Sequence, residues 1–302
     1  MRNGTLLAAI DLGSNSFRLE IGRYEHGQIQ RIEYLKETIR QGNALDEKRN
    51  LSDEAMQRGW ECLSRFSERL LQIEKMHIRA VATQTLREAC NREIFLARGR
   101  EILGLPIEVI SGNEEARLIY LGVVNLLPPS EERRLVIDIG GRSTELILGR
   151  GSIPGHTASL PVGSIGWSMR YFPNGELTEN TFTQAEIAAQ ALLKPIADQF
   201  GAGLWDIAYG ASGTVSAVAD ILGAGMSDEQ INIGGLQWLR KQLIGAGNVA
   251  RVSLPGLKED RRAVIGGGVS ILTAIMELLQ IETLQVAQGA LRHGVLAEMT
   301  KV

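Results

Sequence analysis

The chain has 302 residues, 44% of them hydrophobic and 22% charged, with a net charge of −3. This is a globular composition, long enough for two domains with separate cores, and the slight negative charge excludes broad electrostatic binding of nucleic acid. Cys62 and Cys90 show no Cys-x-x-Cys spacing and the four histidines no His-x-x-x-His pair, which excludes a disulfide scaffold and the common zinc sites.

With no apolar run of about 18 residues and no signal-peptide pattern, a cytoplasmic protein without a membrane span is expected. Glycine is in excess, at 34 residues, so its placement carries information.

Residues 8–23 read AAIDLGSNSFRLEIGR, a strand, a glycine turn and a second strand. The same unit returns 127 positions later as LVIDIGGRSTELILGR (residues 135–150), identical at Ile, Asp, Gly, Ser, Leu, Gly and Arg. A duplicated hairpin follows. Between the copies, a polar stretch runs to Asn50. Ser52 then caps a helix with an apolar face of Met56, Trp60, Leu63, Leu70 and Leu71. A buried strand is predicted over 78–83, a helix over 87–103 and a strand over 106–110. Ser111 to Glu114 reads as a capping box for another helix.

The polar segment 128–134 sets a domain boundary, giving domains 1–128 and 129–302. After the second hairpin come a Gly- and Pro-rich loop over 151–175 and a helix over 187–200 capped at Thr183. A strand over 206–211 and a helix over 215–222 follow. Ser227 with Gln230 forms a further capping pattern. A helix over 261–279 carries Gly266, Gly267 and Gly268, explained as well by close packing as by ligand contact. A strand over 283–287 and a short last helix complete the chain. Alternating strands and helices of this kind form two α/β domains with mixed sheets.

The chemistry concentrates in the turns. Gly13 in Asp11-Leu12-Gly13-Ser14-Asn15-Ser16 permits a tight turn, and the small polar residues after it let backbone N–H groups approach a phosphate. The second copy, Asp138-Ile139-Gly140-Gly141-Arg142-Ser143-Thr144-Glu145, adds two carboxylates. A buried Asp138 is costly unless paired or bound to a cation, and with Glu145 across the turn it offers a hard-cation site suited to Mg²⁺. Pairing of Glu145 with Arg18 or Arg142 is the alternative. Gly213 and Thr214 sit where a strand enters a helix, an anion-binding position that lacks the Walker A pattern. Arg87 follows a buried strand, where α/β folds bind ligands, although a surface position explains it equally. Glu115 is left over once Glu114 takes the capping position; beside Ala116-Arg117 it can point into a cleft, although spacing alone favours solvent.

Six blocks occur in order: Ala9 to Ser16, Thr83 to Arg87, Ser111 to Arg117, Ile137 to Gly141, Gly210 to Thr214, and Gly289 to Arg292. Over nearly the whole chain this resembles the exopolyphosphatase / guanosine pentaphosphate phosphohydrolase (Ppx/GppA) family of the actin-like ATPase superfamily.

The resemblance implies two ribonuclease-H-like domains with a ligand cleft between them, and Mg²⁺-dependent removal of the terminal phosphate of inorganic polyphosphate or pppGpp. It makes Glu115 the general base, Asp138 and Glu145 the catalytic acidic pair, and Arg87 a phosphate-chain contact. Asp11, Gly13, Ser14, Asn15 and Ser16 match the first phosphate loop, and Gly140, Gly141, Arg142 and Ser143 the second. Three departures from the family pattern stand out: Arg142 replaces a glycine, Ala287-Gln288 replaces a Ser-Asp type pair, and His293 replaces an acid.

Longer members carry an added helical region, so an end at Val302 points to the short form and to polyphosphate, with pppGpp as the alternative. A small-molecule kinase and a non-catalytic polyphosphate or nucleotide sensor are the competing classes. No nucleic-acid or membrane partner is expected, and a homodimer stays open.

Overall fold

A computed structural model describes residues 1–226 and 230–301. They form two compact units, residues 1–127 with the C-terminal residues from Gly289, and Pro128–Gln288.

The first unit runs β1 (Leu6–Leu12), β2 (Ser16–Glu25), β3 (Gln28–Thr38), α1 (Asp53–Arg69), β4 (Ile78–Ala82), α2 (Gln84–Glu88), α3 (Arg92–Leu103), β5 (Ile107–Val109) and α4 (Gly112–Val124). The second runs β6 (Arg133–Ile139), β7 (Thr144–Arg150), β8 (Ile153–Leu160), α5 (Ser164–Tyr171), α6 (Glu179–Leu193), β9 (Ile207–Ala211) and α7 (Ser212–Met226). It continues through β10 (Ile231–Asn232), α8 (Ile233–Ala246), α9 (Glu259–Arg262), α10 (Ile265–Leu278) and β11 (Thr283–Val286). The chain then returns to the first unit as α11 (Leu291–Met299).

The two sheets share one plan. In the first the order is β3-β2-β1-β4-β5; in the second it is β8-β7-β6-β9-β11, with β10 added at the edge. In both, the first three strands are antiparallel and the central strand is parallel to the next one inward. This is the ribonuclease-H-like arrangement, present twice. The correspondence reaches single residues: Asp11 faces Arg18 and Asp138 faces Glu145. Both second strands also change register at matching glycines, Gly22 and Gly149.

Central strands bury both faces, as the run Leu6–Leu12 shows. Edge strands expose one face and read as polar. For that reason β3 lies unseen in the polar stretch to Asn50 and β8 in what reads as a Gly- and Pro-rich loop, a stretch that also holds helix α5. The first core centres on Phe17, Leu63, Phe66 and Phe95, with Trp60 stacked on Phe95 at 5.9 Å. The second centres on Trp167, Phe172, Phe182 and the apolar face of α10.

Several predicted boundaries shift for local reasons. The helix expected over 87–103 breaks into α2 and α3, because Asn91 turns its amide onto the backbone N–H and C=O of Leu51, both at 2.9 Å. The helix expected over 187–200 starts earlier, at the Thr178–Thr181 capping box, so Thr183 is internal; it gives way to a 3₁₀ segment at Lys194, with Pro195 lacking an N–H donor. Residues 261–279 form α9 and α10 rather than one helix. Leu71 lies beyond α1 and is 84% exposed. Ser111 caps α4 by accepting from Glu114 N, but the Glu114 side chain pairs with Arg117 rather than closing the box. The Ser227–Gln230 pattern includes Ser227, outside the described residues.

The glycines of α10 serve packing. A Cβ on Gly267 would lie 2.6 Å from Ser164 O, and one on Gly268 2.6 Å from Thr214 Cγ2. Likewise α11 lies backbone to backbone on α4: a Cβ on Gly294 would fall 1.8 Å from Leu118 O. Among the described residues, no helix is long and apolar enough to cross a membrane.

Candidate functional site

In the first unit, the turn after β1 holds its shape through its own polar groups. Arg18 Nη1 donates to Asp11 Oδ2 at 3.1 Å across the hairpin. Gly13 packs closely on the turn: a Cβ there would lie 3.0 Å from Ser16 O. The carbonyls of Ser14 and Asn15 accept from the backbone of Ile39, Arg40 and Gly42 at 2.8–3.0 Å. In a planar trans peptide the N–H points opposite its C=O. The Asn15 N–H is therefore turned away from the 39–42 segment, as a phosphate-facing edge requires. Ser14 and Ser16 are buried in the same turn.

Glu115 is not in solvent, contrary to its spacing: it is 7% exposed, in the first turn of α4. Arg87 Nη1 donates to Glu115 Oε2 at 2.7 Å and to Ile110 O at 2.9 Å. The other side of the guanidinium is held by Gln84 Oε1, at 2.6 Å from Nη2. The helix N-terminus and Arg87 together stabilise the buried carboxylate. Arg87 also borders a cavity of about 550 Å³, shared with Arg92, Leu96, Ile110 and Ser111.

The second unit repeats the turn with different chemistry. Ser164 N donates to Gly140 O at 2.9 Å and Ile165 N to Gly141 O at 2.8 Å. The start of α5 thus takes the turn's carbonyls and leaves the N–H groups of Gly141 and Arg142 facing the other way. Asp138 and Glu145 are direct cross-strand partners, 7% and 1% exposed, and Ser159 Oγ donates to Glu145 Oε1 at 2.8 Å. Next to them, Ser212 and Thr214 hydroxyls both donate to Ile139 O at 2.9 Å, which locks the N-terminus of α7 to the end of β6. Ser212 holds a left-handed φ of 81°, a costly conformation for a non-glycine residue that tends to persist at functional sites.

Among the described residues, no group of three or more His, Cys, Asp and Glu converges as a metal cluster. The Asp138–Glu145 pair nevertheless suits Mg²⁺, which takes one or two carboxylates and keeps several waters.

Two arginines are not legible from sequence as site residues. Arg18 donates to Asp11 across its own hairpin. Arg261 is far from the turns in sequence, yet its Nη2 lies 2.0 Å from where a Cβ on Gly213 would be. Gly213 therefore makes room for a guanidinium at the α7 N-terminus. The only local signal for Arg261 was a charged run, which ordinarily marks a solvated face. His293 accepts from Ala290 N through Nδ1 at 3.0 Å and faces Glu20 through Nε2 at 3.4 Å.

Each unit thus carries the ribonuclease-H-like sheet with a glycine turn after its central strand. The model of the Ppx/GppA phosphatase family matches residues 21–302, and the chain belongs to that family.

A guanosine-5′-triphosphate,3′-diphosphate pyrophosphatase of Vibrio vulnificus is 46% identical over 297 residues, covering 98% of this chain and 60% of the relative. The chain thus spans 60% of that relative's length. An exopolyphosphatase from Cytophaga hutchinsonii has the same fold at a TM-score of 0.88, with 23% identity and 99% of each chain covered. The Aquifex aeolicus member of the family matches at a TM-score of 0.79, with 24% identity and 98% of each chain covered.

Proposed function

We propose that the chain is a phosphoanhydride hydrolase that removes the 5′-terminal phosphate of guanosine pentaphosphate. The 46% identity to a pyrophosphatase of that nucleotide supports this substrate. The exopolyphosphatase likeness, at 23% identity, speaks for the fold alone. The polyphosphate reading, drawn from chain length, therefore becomes the second choice.

The buried Glu115 carries the reading. A carboxylate held by Arg87 in a fixed orientation can accept the proton of an attacking water. The water oxygen forms a bond to the terminal phosphorus, the bridging P–O bond breaks, and the bridging oxygen, kept by the nucleotide's next phosphate, takes the electron pair. In the first unit the backbone N–H groups of the Gly13 turn would bind phosphoryl oxygens; in the second, those of the Gly140 turn and the α7 N-terminus with Arg261 would each offer an anion position. Asp138 and Glu145 would hold Mg²⁺, whose charge offsets the negative charge that develops on the phosphoryl oxygens.

Phosphate release from pppGpp, GTP, tripolyphosphate and long polyphosphate tests the choice. Turnover highest on pppGpp is expected. Activity on polyphosphate with none on pppGpp would reverse the order, and ATP-dependent phosphorylation of an acceptor would replace hydrolysis altogether.

A further inference from the structure

A second basic site stands beside the first phosphate turn. A cavity of about 430 Å³ is lined by Thr38, Ile39, Arg40, Asn43, Ala44 and Arg58. It brings together two guanidinium groups, an amide and a hydroxyl, and none of the described residues lining it is acidic. Arg58 Nε donates to Ile39 O at 3.3 Å, which ties α1 to the cavity wall. Glu54, one turn earlier on α1, feels the charge of Arg58 but is fully exposed. Arg40 holds a left-handed φ of 57°, where glycine or asparagine would sit at lower cost. The chain thus keeps an arginine at a strained position on the rim of a basic cavity. The same segment is bonded to the turn itself: Ile39 N and Arg40 N both donate to Asn15 O, and Gly42 N donates to Ser14 O.

We infer that this cavity is an anion subsite that binds a diphosphate group. Two guanidinium forks match the oxygens of a diphosphate, and Thr38 and Asn43 can complete its hydrogen bonds. The choice of ligand class rests on the phosphoanhydride reading above. Two sources share this chemistry: the diphosphate carried by the nucleotide substrate, and a separate diphosphate anion.

The test uses the full chain and methylenediphosphonate, which has no hydrolysable bridge, with binding measured by titration calorimetry. The double variant Arg40→Gln/Arg58→Gln is expected to weaken binding about tenfold or more, since it removes both charge-assisted partners of the anion. Asn43→Asp, which leaves the Arg58–Ile39 bond in place, should weaken it in the same direction. Arg98→Gln, on an exposed pair with Glu101, should leave it unchanged. Binding within twofold of the parent in both the double variant and Asn43→Asp would overturn the subsite. KM values separate the sources: a tenfold rise for pppGpp with none for GTP assigns the subsite to the substrate's own diphosphate, and unchanged values with lost methylenediphosphonate binding assign it to a separate anion. If the parent hydrolyses neither nucleotide, the functional reading fails, while the calorimetry still decides the subsite.

Discussion

Asp138 stands directly across the β6–β7 ladder from Glu145, at the register position where the first unit sets Asp11 against Arg18. One hairpin pairs its aspartate with an arginine 3.1 Å away; the other confronts it with a second buried acid. Two facing carboxylates offer hard oxygen donors that suit a divalent cation. Mg²⁺ at about 100 times its Kd is therefore expected to add about 2.7 kcal/mol of stability to the parent, and Glu145→Gln to lose that gain along with activity. Thermal melts with and without Mg²⁺ measure it. An equal Mg²⁺-induced shift in both proteins would remove Glu145 from the site.

Gly213 is expected to matter for binding and not for folding. A Cβ there displaces the end of a flexible arginine, Arg261, rather than backbone. Gly213→Ala should keep a parent-like melting temperature and raise KM for the phosphorylated substrate about tenfold, the loss of one charge-assisted contact. A parent-like KM would make Arg261 a packing residue.

Gly294 contrasts with it. Its Cβ would meet the Leu118 carbonyl at 1.8 Å, where α11 lies on α4. Gly294→Ala should destabilise the fold by about 3 kcal/mol or more, because backbone must move. Gly245→Ala, in an α8 position with nothing within 4 Å, should be neutral or gain up to about 1 kcal/mol. Denaturant midpoints compare the two, and equal effects would contradict the close helix contact.

Glu20 sets an acid limit. Burial pushes its pKa up, but bonds with His293 and Arg292 override burial and bring it to about 2, from 4.5 in the unfolded chain. Its stabilisation is thus fully present above pH 4.5 and is lost as pH falls toward 2. Glu20→Gln should therefore be clearly less stable than the parent at pH 7, with the difference shrinking over that window. A difference constant from pH 7 to pH 2.5 would show that the ionised carboxylate is not what α11 depends on.

Much of this was legible in the sequence, and what was missed has a common cause. The duplicated Asp-x-Gly hairpins were readable because strand alternation and turn glycines are local signals. Edge strands β3 and β8 were not, since a solvated face looks like a loop. Sequence spacing placed Glu115 in solvent, because burial of a helix-start carboxylate depends on Arg87, 28 residues away. Arg261 was invisible for the same reason: its meaning lies in the missing side chain of Gly213.

On the proposed function, Glu115 activates water in phosphoanhydride hydrolysis. The direct test compares parent and Glu115→Gln for pppGpp turnover and for pppGpp binding in Mg²⁺. A loss of kcat of about 10² to 10⁴ is expected, with binding kept within a few-fold. A variant that turns over at near the parent rate would contradict it.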